Sequence, residues 1–188
     1  MNTDRKLIQS ISRLFIATCF LLMIPLIAMQ FTNEVAWTLS DFIFAGTLLF
    51  GTGLTYKLIT RKTGEITYRV AVGFALFTGL FLIWSNLAVG IIGSENNAFN
   101  LLFFGVIAIG IIGAFLARFQ PGGMSVTMIT MAFVQGLIAA GALYTGMHHL
   151  PQVTVLQILT VNGFFITLFV LSAVMFRFPI HAKKNLHY

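Results

Sequence analysis

The sequence predicts an all-α membrane protein: a polytopic bundle of six transmembrane helices with both termini on the cytoplasmic side. Three observations carry this. First, 58% of the 188 residues are hydrophobic and only 9% charged, against about 25% charged in an ordinary soluble domain. A small domain in water leaves much of its chain at the surface, and this one has too few polar residues to cover it. Second, six apolar runs approach the roughly 20 residues that cross about 30 Å of hydrocarbon at about 1.5 Å per residue. Third, the basic residues fall only in alternate gaps between those runs.

The runs cover 14–31, 37–56, 70–93, 101–117, 124–145 and 153–176. Helices are the predicted form, because unpaired backbone groups are costly in lipid and the runs lack the alternation of barrel strands. Arg5, Lys6 and Arg13 ahead of the first run also fit a cleaved signal peptide. That run exceeds a usual signal core, however, and Ala28-Met29-Gln30 is a poor cleavage site, so a retained helix is expected. The connections are short, at 32–36, 61–68, 94–99, 120–123 and 146–152, which predicts that successive helices are antiparallel neighbours. Nothing marks a domain boundary, and residues 1–188 are expected to form a single transmembrane domain.

Basic residues favour cytoplasmic loops. With the N-terminus inside, Arg5, Lys6, Arg13, Lys57, Arg61, Lys62, Arg69, Arg118, Arg177, Lys183 and Lys184 all lie on the cytoplasmic side, and Glu34, Glu95, His148 and His149 lie outside. The excess of 11 basic over 5 acidic residues is therefore a mark of topology, and no nucleic-acid partner is expected. Cys19, the single cysteine, sits in the first run and reads as a small buried apolar residue.

Helices in lipid associate through small residues that let backbones approach. Ala132, Gly136 and Ala140 on the fifth run, and the pairs Gly110–Ala114 and Gly113–Ala117 on the fourth, are predicted interfaces. Asp41, Gly46 and Gly51 recur 59 positions later as Asn100, Gly105 and Gly110, which raises a duplicated hairpin as one reading and chance among glycine-rich runs as the other.

An ionisable residue deep in a membrane is a functional lead, and none lies near the predicted midplane. Asp41 is the deepest carboxylate. With Thr38 as cap it reads as first-turn helix chemistry, or else as part of an outer mouth. Gln135 lies 14 residues before His149 and Asn162 lies 13 after it. The two amides therefore share one depth, either as a clasp across the hairpin or as ligands for a small polar solute.

The densest polar stretch runs Trp84-Ser85-Asn86-Leu87-Ala88-Val89-Gly90-Ile91-Ile92-Gly93-Ser94-Glu95-Asn96-Asn97 and on to Asn100. Gly90 and Gly93 either let the helix unwind beside Asn86 and Glu95, making an outer vestibule with Asp41, Asn97 and Asn100, or Gly93 ends one helix and Asn100 caps the next. This stretch resembles one in small multi-pass bacterial membrane proteins with no assigned activity. The resemblance covers 68–118 and implies a multi-pass topology and a bacterial origin, with no activity attached; the membrane expected is then the bacterial inner membrane.

His148 and His149 are weak metal candidates with Glu34, Glu95 and Asp41, since no spaced motif completes a ligand set. Met124, Met128 and Met131 on one helix face suit either Cu(I) or ordinary packing. No histidine lies within a run to hold haem, and no cofactor is expected. No catalytic set is placed inside the predicted bundle, so enzyme activity is not expected.

Two functions remain. One is a non-enzymatic accessory or structural membrane subunit, in contact with the lipid bilayer and with a membrane protein partner or its own copies. The other is a small facilitator with a path lined by Asn86, Gln135 and Asn162. Metal binding at the outer face is a minor third.

Overall fold

The structure, a computed structural model, describes residues 2–32, 35–61, 64–150 and 153–184, with side chains from 9 to 178 within these ranges. Among the described residues all regular structure is helical: α1 (Asn2–Phe31), α2 (Leu39–Thr60), α3 (Ile66–Ala88), α4 (Leu102–Leu116), α5 (Pro121–Tyr144) and α6 (Val155–Lys184), with single 3-10 turns at Ala98–Leu101 and Met147–His149. All six runs are long and apolar enough to cross a membrane. The chain is a multi-pass integral membrane protein. The predicted spans are recovered, except that α3 ends at Ala88 and not at residue 93.

The chain divides into two compact units, Met1–Arg61 and Lys62–Tyr188. The first is the α1–α2 hairpin, on which Cys19 is exposed and not buried as expected, because α1 has only one packed neighbour in its unit. Thr38 and Asp41 start α2 as predicted: the Thr38 N–H donates to Asp41 Oδ2 at 2.7 Å and the Thr38 hydroxyl donates to the same oxygen. The helices approach closely where Gly53 faces Leu14 and Gly46 faces Leu22; a Cβ on Gly53 would lie 2.3 Å from Leu14 Cδ1. Near the other end Lys57 Nζ donates to the Ser10 carbonyl at 2.6 Å and to its hydroxyl.

In the second unit α6 packs against both α5 and α3, and α4 packs against α5. The expected pairing of α3 with its successor α4 is slight, because the segment between them folds inward and does not turn tightly. Small residues set the α4–α5 contact as predicted. A Cβ on Gly113 would meet Thr127 Cγ2 at 2.5 Å, one on Gly110 would meet Met131 Sδ at 2.8 Å, and one on Gly123 would meet the Ala117 Cβ at 2.6 Å. On α5 the predicted stripe is only partly used. Ala132 is buried, Gly136 faces Ile166, and Ala140 is exposed. The buried face carries Met124, Met128, Met131, Gln135, Ile138, Ala139 and Ala142 instead. Long side chains fill this interface, since a helix packed on two neighbours must cover a wider arc than a four-residue stripe spans. The three methionines are thus packing residues.

One end of this unit is knotted around Tyr68, in the first turn of α3. Its hydroxyl donates to the Phe119 carbonyl in the α4–α5 turn, and its ring meets Phe176 of α6 edge-on at 5.8 Å. Beside it, Ser125 Oγ donates to the Ala173 carbonyl at 2.8 Å and accepts from Arg177 Nε at 3.2 Å. Pro121 occupies the first position of α5, where its fixed φ suits a helix start and its missing N–H costs nothing.

The glycine contacts separate two substitutions of equal size. Gly110→Ala meets the far end of a flexible methionine and should leave the melting temperature in detergent within about 2 °C, the helix-propensity gain of about 1 kcal/mol offsetting a small shift. Gly113→Ala meets Thr127, whose hydroxyl is already held by the Gly123 carbonyl at 3.0 Å, and should cost about 1–3 kcal/mol. Equal tolerance of both would contradict the close α4–α5 approach.

Candidate functional site

The buried amides of the four-helix unit form two groups. The first gathers where α3 gives way to α4. Val89 closes α3 by donating to the Ser85 carbonyl, and Gly90 and Gly93 follow at φ 74° and 72°. These left-handed turns suit glycine because other residues crowd their own Cβ there. They fold Ile91 and Ile92 into the protein interior, where both are buried.

Burial strips those residues of water, and Asn100 replaces it. Its Oδ1 accepts from the N–H groups of Ile91 at 3.2 Å and Ile92 at 2.9 Å. Its Nδ2 donates to the carbonyls of Ile92 at 3.3 Å and Ser94 at 2.8 Å. Both donors and both acceptor positions of the amide are in use. The Asn100 carbonyl in turn accepts from Asn86 Nδ2 at 3.1 Å, which ties the segment back to α3. Asn97 caps the 3-10 turn by accepting from the Phe99 N–H at 3.0 Å, and its Nδ2 donates to the Ile92 carbonyl at 3.1 Å.

Of the two readings of this stretch, the cap reading is corrected: Gly93 does not end α3, which ends at Ala88, and Asn100 does not cap α4 but anchors the infolded segment. The backbone is unwound at Gly90 and Gly93, as the other reading had it. The proposed counterparts at 41 and 100 also differ, Asp41 being an exposed first-turn carboxylate and Asn100 a buried amide.

The second group is the predicted clasp. Gln135 Nε2 on α5 donates to Asn162 Oδ1 on α6 at 3.1 Å, and Asn162 Nδ2 donates to the Ile158 carbonyl at 2.8 Å. Both residues are at most 1% exposed. Asn86 Oδ1 and Gln135 Oε1 are left buried without a hydrogen-bond partner. Asn86 therefore belongs to the infolded segment, and Gln135 and Asn162 to each other.

Of the outer-vestibule candidates, Asn97 and Asn100 hold the infolded segment, Glu95 is exposed and accepts from Asn96 at 3.1 Å, and Asp41, in the first unit, accepts from Thr38 at the start of α2. His148 and His149 form the 3-10 turn after α5, their rings 4.0 Å apart, with His148 Nδ1 buried and unbonded. Met147 in that turn touches Asn97, and Leu150 and Val153 lie against Gly93, so the two connections pack on each other. Glu34 lies outside the described residues. Among the described residues no three of His, Cys, Asp and Glu group so as to hold a metal ion.

Compared with family models, curated proteins and solved structures, the chain matches none. Its chemistry is therefore read from the site alone. Among the described residues the fully buried polar side chains are amides and hydroxyls, which donate and accept hydrogen bonds and carry no charge at neutral pH. Sequence reasoning placed the clasp but missed Asn100's role and the Ser125–Ala173 bond. The first had a legible signal: two glycines three apart flank apolar residues, with an amide seven residues on.

Asn100→Ala leaves two buried N–H groups unpaired, each worth about 1–3 kcal/mol. It should raise hydrogen exchange across 89–97 while leaving α5 and α6 protected; unchanged exchange there would rule out the anchor. For the clasp, a double-mutant cycle of Gln135→Leu and Asn162→Leu should give a coupling of about 0.6–1.7 kcal/mol, and additive effects would show that the bond contributes nothing.

Proposed function

We propose that this protein is a non-enzymatic accessory or structural subunit of a bacterial inner membrane, with both termini cytoplasmic. The observation that carries this reading is the local pairing of the buried amides. A solute path through Asn86, Gln135 and Asn162 needs them turned to one cavity, whereas Asn86 is bonded to the Asn100 carbonyl and Gln135 to Asn162. Amides used in this way hold helices and loops in register. The surface left for a partner is broad and apolar. Phe15, Ile16, Phe20 and Ile24 of α1 are all more than half exposed, as suits contact with lipid or with a neighbouring membrane helix, from a second copy or another protein.

The orientation follows from charge. If each helix crosses, Arg13, Lys57, Arg61, Arg69, Arg118 and Arg177 share one side, and Glu95, His148 and His149 share the other. The bias of basic residues toward the cytoplasm sets that side inward. A bacterial origin is supported by the resemblance over 68–118, and helical spans with basic residues on one side suit an inner membrane.

A second reading, a small facilitator for an uncharged polar solute, is favoured by the two buried amide oxygens without partners. These would accept hydrogen bonds from a passing hydroxyl or amide.

Purification in mild detergent separates the readings. A stable complex with another membrane protein, or a defined oligomer inert in liposome uptake assays, supports the subunit; uptake of a small polyol, lost in Gln135→Leu, overturns it. For orientation, a Cys19→Ser background carrying cysteine at 95 or 118 should react with an impermeant maleimide on intact spheroplasts at 95 only. Labelling at 118 instead would invert the topology.

A further inference from the structure

The Tyr68 knot has a consequence for charge. Each of the three strands of backbone that it joins carries an arginine next to the contact: Arg69 beside Tyr68, Arg118 beside Phe119 and Arg177 beside Phe176. All three arginines are exposed. Among the described residues Arg177 donates only through its Nε, to Ser125, which leaves the N–H groups of both terminal nitrogens for another acceptor. Glu65, the residue before α3, is the one carboxylate described at this end of the unit, so positive charge is in excess.

The turn that presents Arg118 is strained. Arg118 and Phe119 both take left-handed backbone, at φ 49° and 56°, which costs non-glycine residues on the order of 1 kcal/mol each. Tyr68 holds the Phe119 carbonyl, and the Phe119 N–H donates to the Ala114 carbonyl at 3.1 Å, so the packing enforces this arrangement. Strain held in place by its surroundings is characteristic of ligand sites. The start of α5 lies two residues beyond, its first N–H groups directed out of the helix and favouring an anion.

Apolar neighbours complete the picture. Val70 follows Arg69, Phe178 follows Arg177, and Phe115 and Leu116 precede Arg118; all four are more than half exposed. Each guanidinium thus stands near the end of a membrane-crossing span with a large lipid-accessible side chain next to it, an arrangement that fits a molecule with an anionic head and apolar tails.

We infer that Arg69, Arg118 and Arg177, gathered by Tyr68, form a binding site for the phosphate headgroup of an anionic phospholipid. The guanidinium groups donate to the phosphate oxygens, and the acyl chains lie along α3, α4 and α6. The site is independent of which solute or partner the protein serves, and of which side its termini occupy.

The test uses the full chain in neutral detergent, with phosphatidylglycerol, phosphatidylcholine or inorganic phosphate added, and reads bound lipid by native mass spectrometry and melting temperature. Phosphatidylglycerol should be retained and should raise the melting temperature, while phosphatidylcholine should do neither. Each Arg→Gln substitution should weaken retention about fivefold, and Arg13→Gln, in the other unit, should not. Tyr68→Phe, which keeps the ring and the charges but frees the turn, should weaken retention as well. The wild-type protein provides a control that needs no variant: its phosphatidylglycerol shift should shrink as salt is raised. Equal effects of the two lipids, a salt-independent shift, or full retention in the triple Arg→Gln variant would overturn the site. A shift of the same size from inorganic phosphate would overturn its lipid character.

Discussion

Hydrocarbon offers a peptide group no water to bond, so every N–H and C=O within the membrane must find its partner in the protein, at a cost of several kcal/mol for each that does not. Helices meet this demand by themselves. The chain departs from helix after Ala88, at residues that are nevertheless buried, and everything at that end of the four-helix unit follows from how the debt is met. One asparagine side chain bonds four backbone groups of Ile91, Ile92 and Ser94. Two left-handed glycines bring those groups within its reach. A Cβ on Gly90 would lie 2.7 Å from the Ser94 carbonyl oxygen and 2.8 Å from Asn100 Nδ2, so the hydrogen bonds and the glycine require each other. The second connection then seats on the result, with Leu150 and Val153 against Gly93.

The same constraint explains why the polar side chains that join α5 to α6 are neutral and bonded across the interface. Lipid supplies no hydrophobic drive between helices, so α5 and α6 are held by packing and by hydrogen bonds made between them. Gln135 with Asn162, and Ser125 with the Ala173 carbonyl, are spaced along the α5–α6 interface. Two such bonds fix both the sliding and the rotation of one helix on the other, which apolar contacts alone leave loosely specified. An ion pair would do this too, but at the greater cost of burying charge. Met131 against Gly110 and Thr127 against Gly113 set the neighbouring α4 contact by shape.

What was legible in the sequence was whatever depends on one helix at a time. The six spans follow from length and composition, the Thr38–Asp41 start of α2 from local capping, and the shared depth of Gln135 and Asn162 from counting outward from one hairpin tip. What was not legible depends on two segments meeting. Asn100 stands where a cap residue stands, and only the infolding of 89–97 reveals that its partners lie eight and nine residues back. The end of α3 was misplaced for the same reason, since apolar residues continue to 92 whether the backbone is helical or not. The stripe of Ala132, Gly136 and Ala140 marks one face of α5, but a helix with two packed neighbours buries a wider one. Tyr68 gave no signal, because its partners lie 51 and 108 positions away and belong to no motif.

The neutrality of the interior bears on function. Coupling transport to protons needs an ionisable relay at depth, and the deep polar residues described in the four-helix unit are amides and hydroxyls that keep one charge state across physiological pH. For passage without such coupling, the clasp is the obstacle. A solute moving between α5 and α6 would have to part Gln135 from Asn162 and replace their bond, worth about 1 kcal/mol in a membrane, with bonds of its own. Gln135 Oε1, already without a partner, is where such a solute would begin. The other half of the pair resists, because Asn162 is held by the Ile158 carbonyl on its own helix and keeps its oxygen facing Gln135. An arrangement that anchors one amide to hold the other suits a fixed helix pair better than a gate, which needs both partners able to turn away.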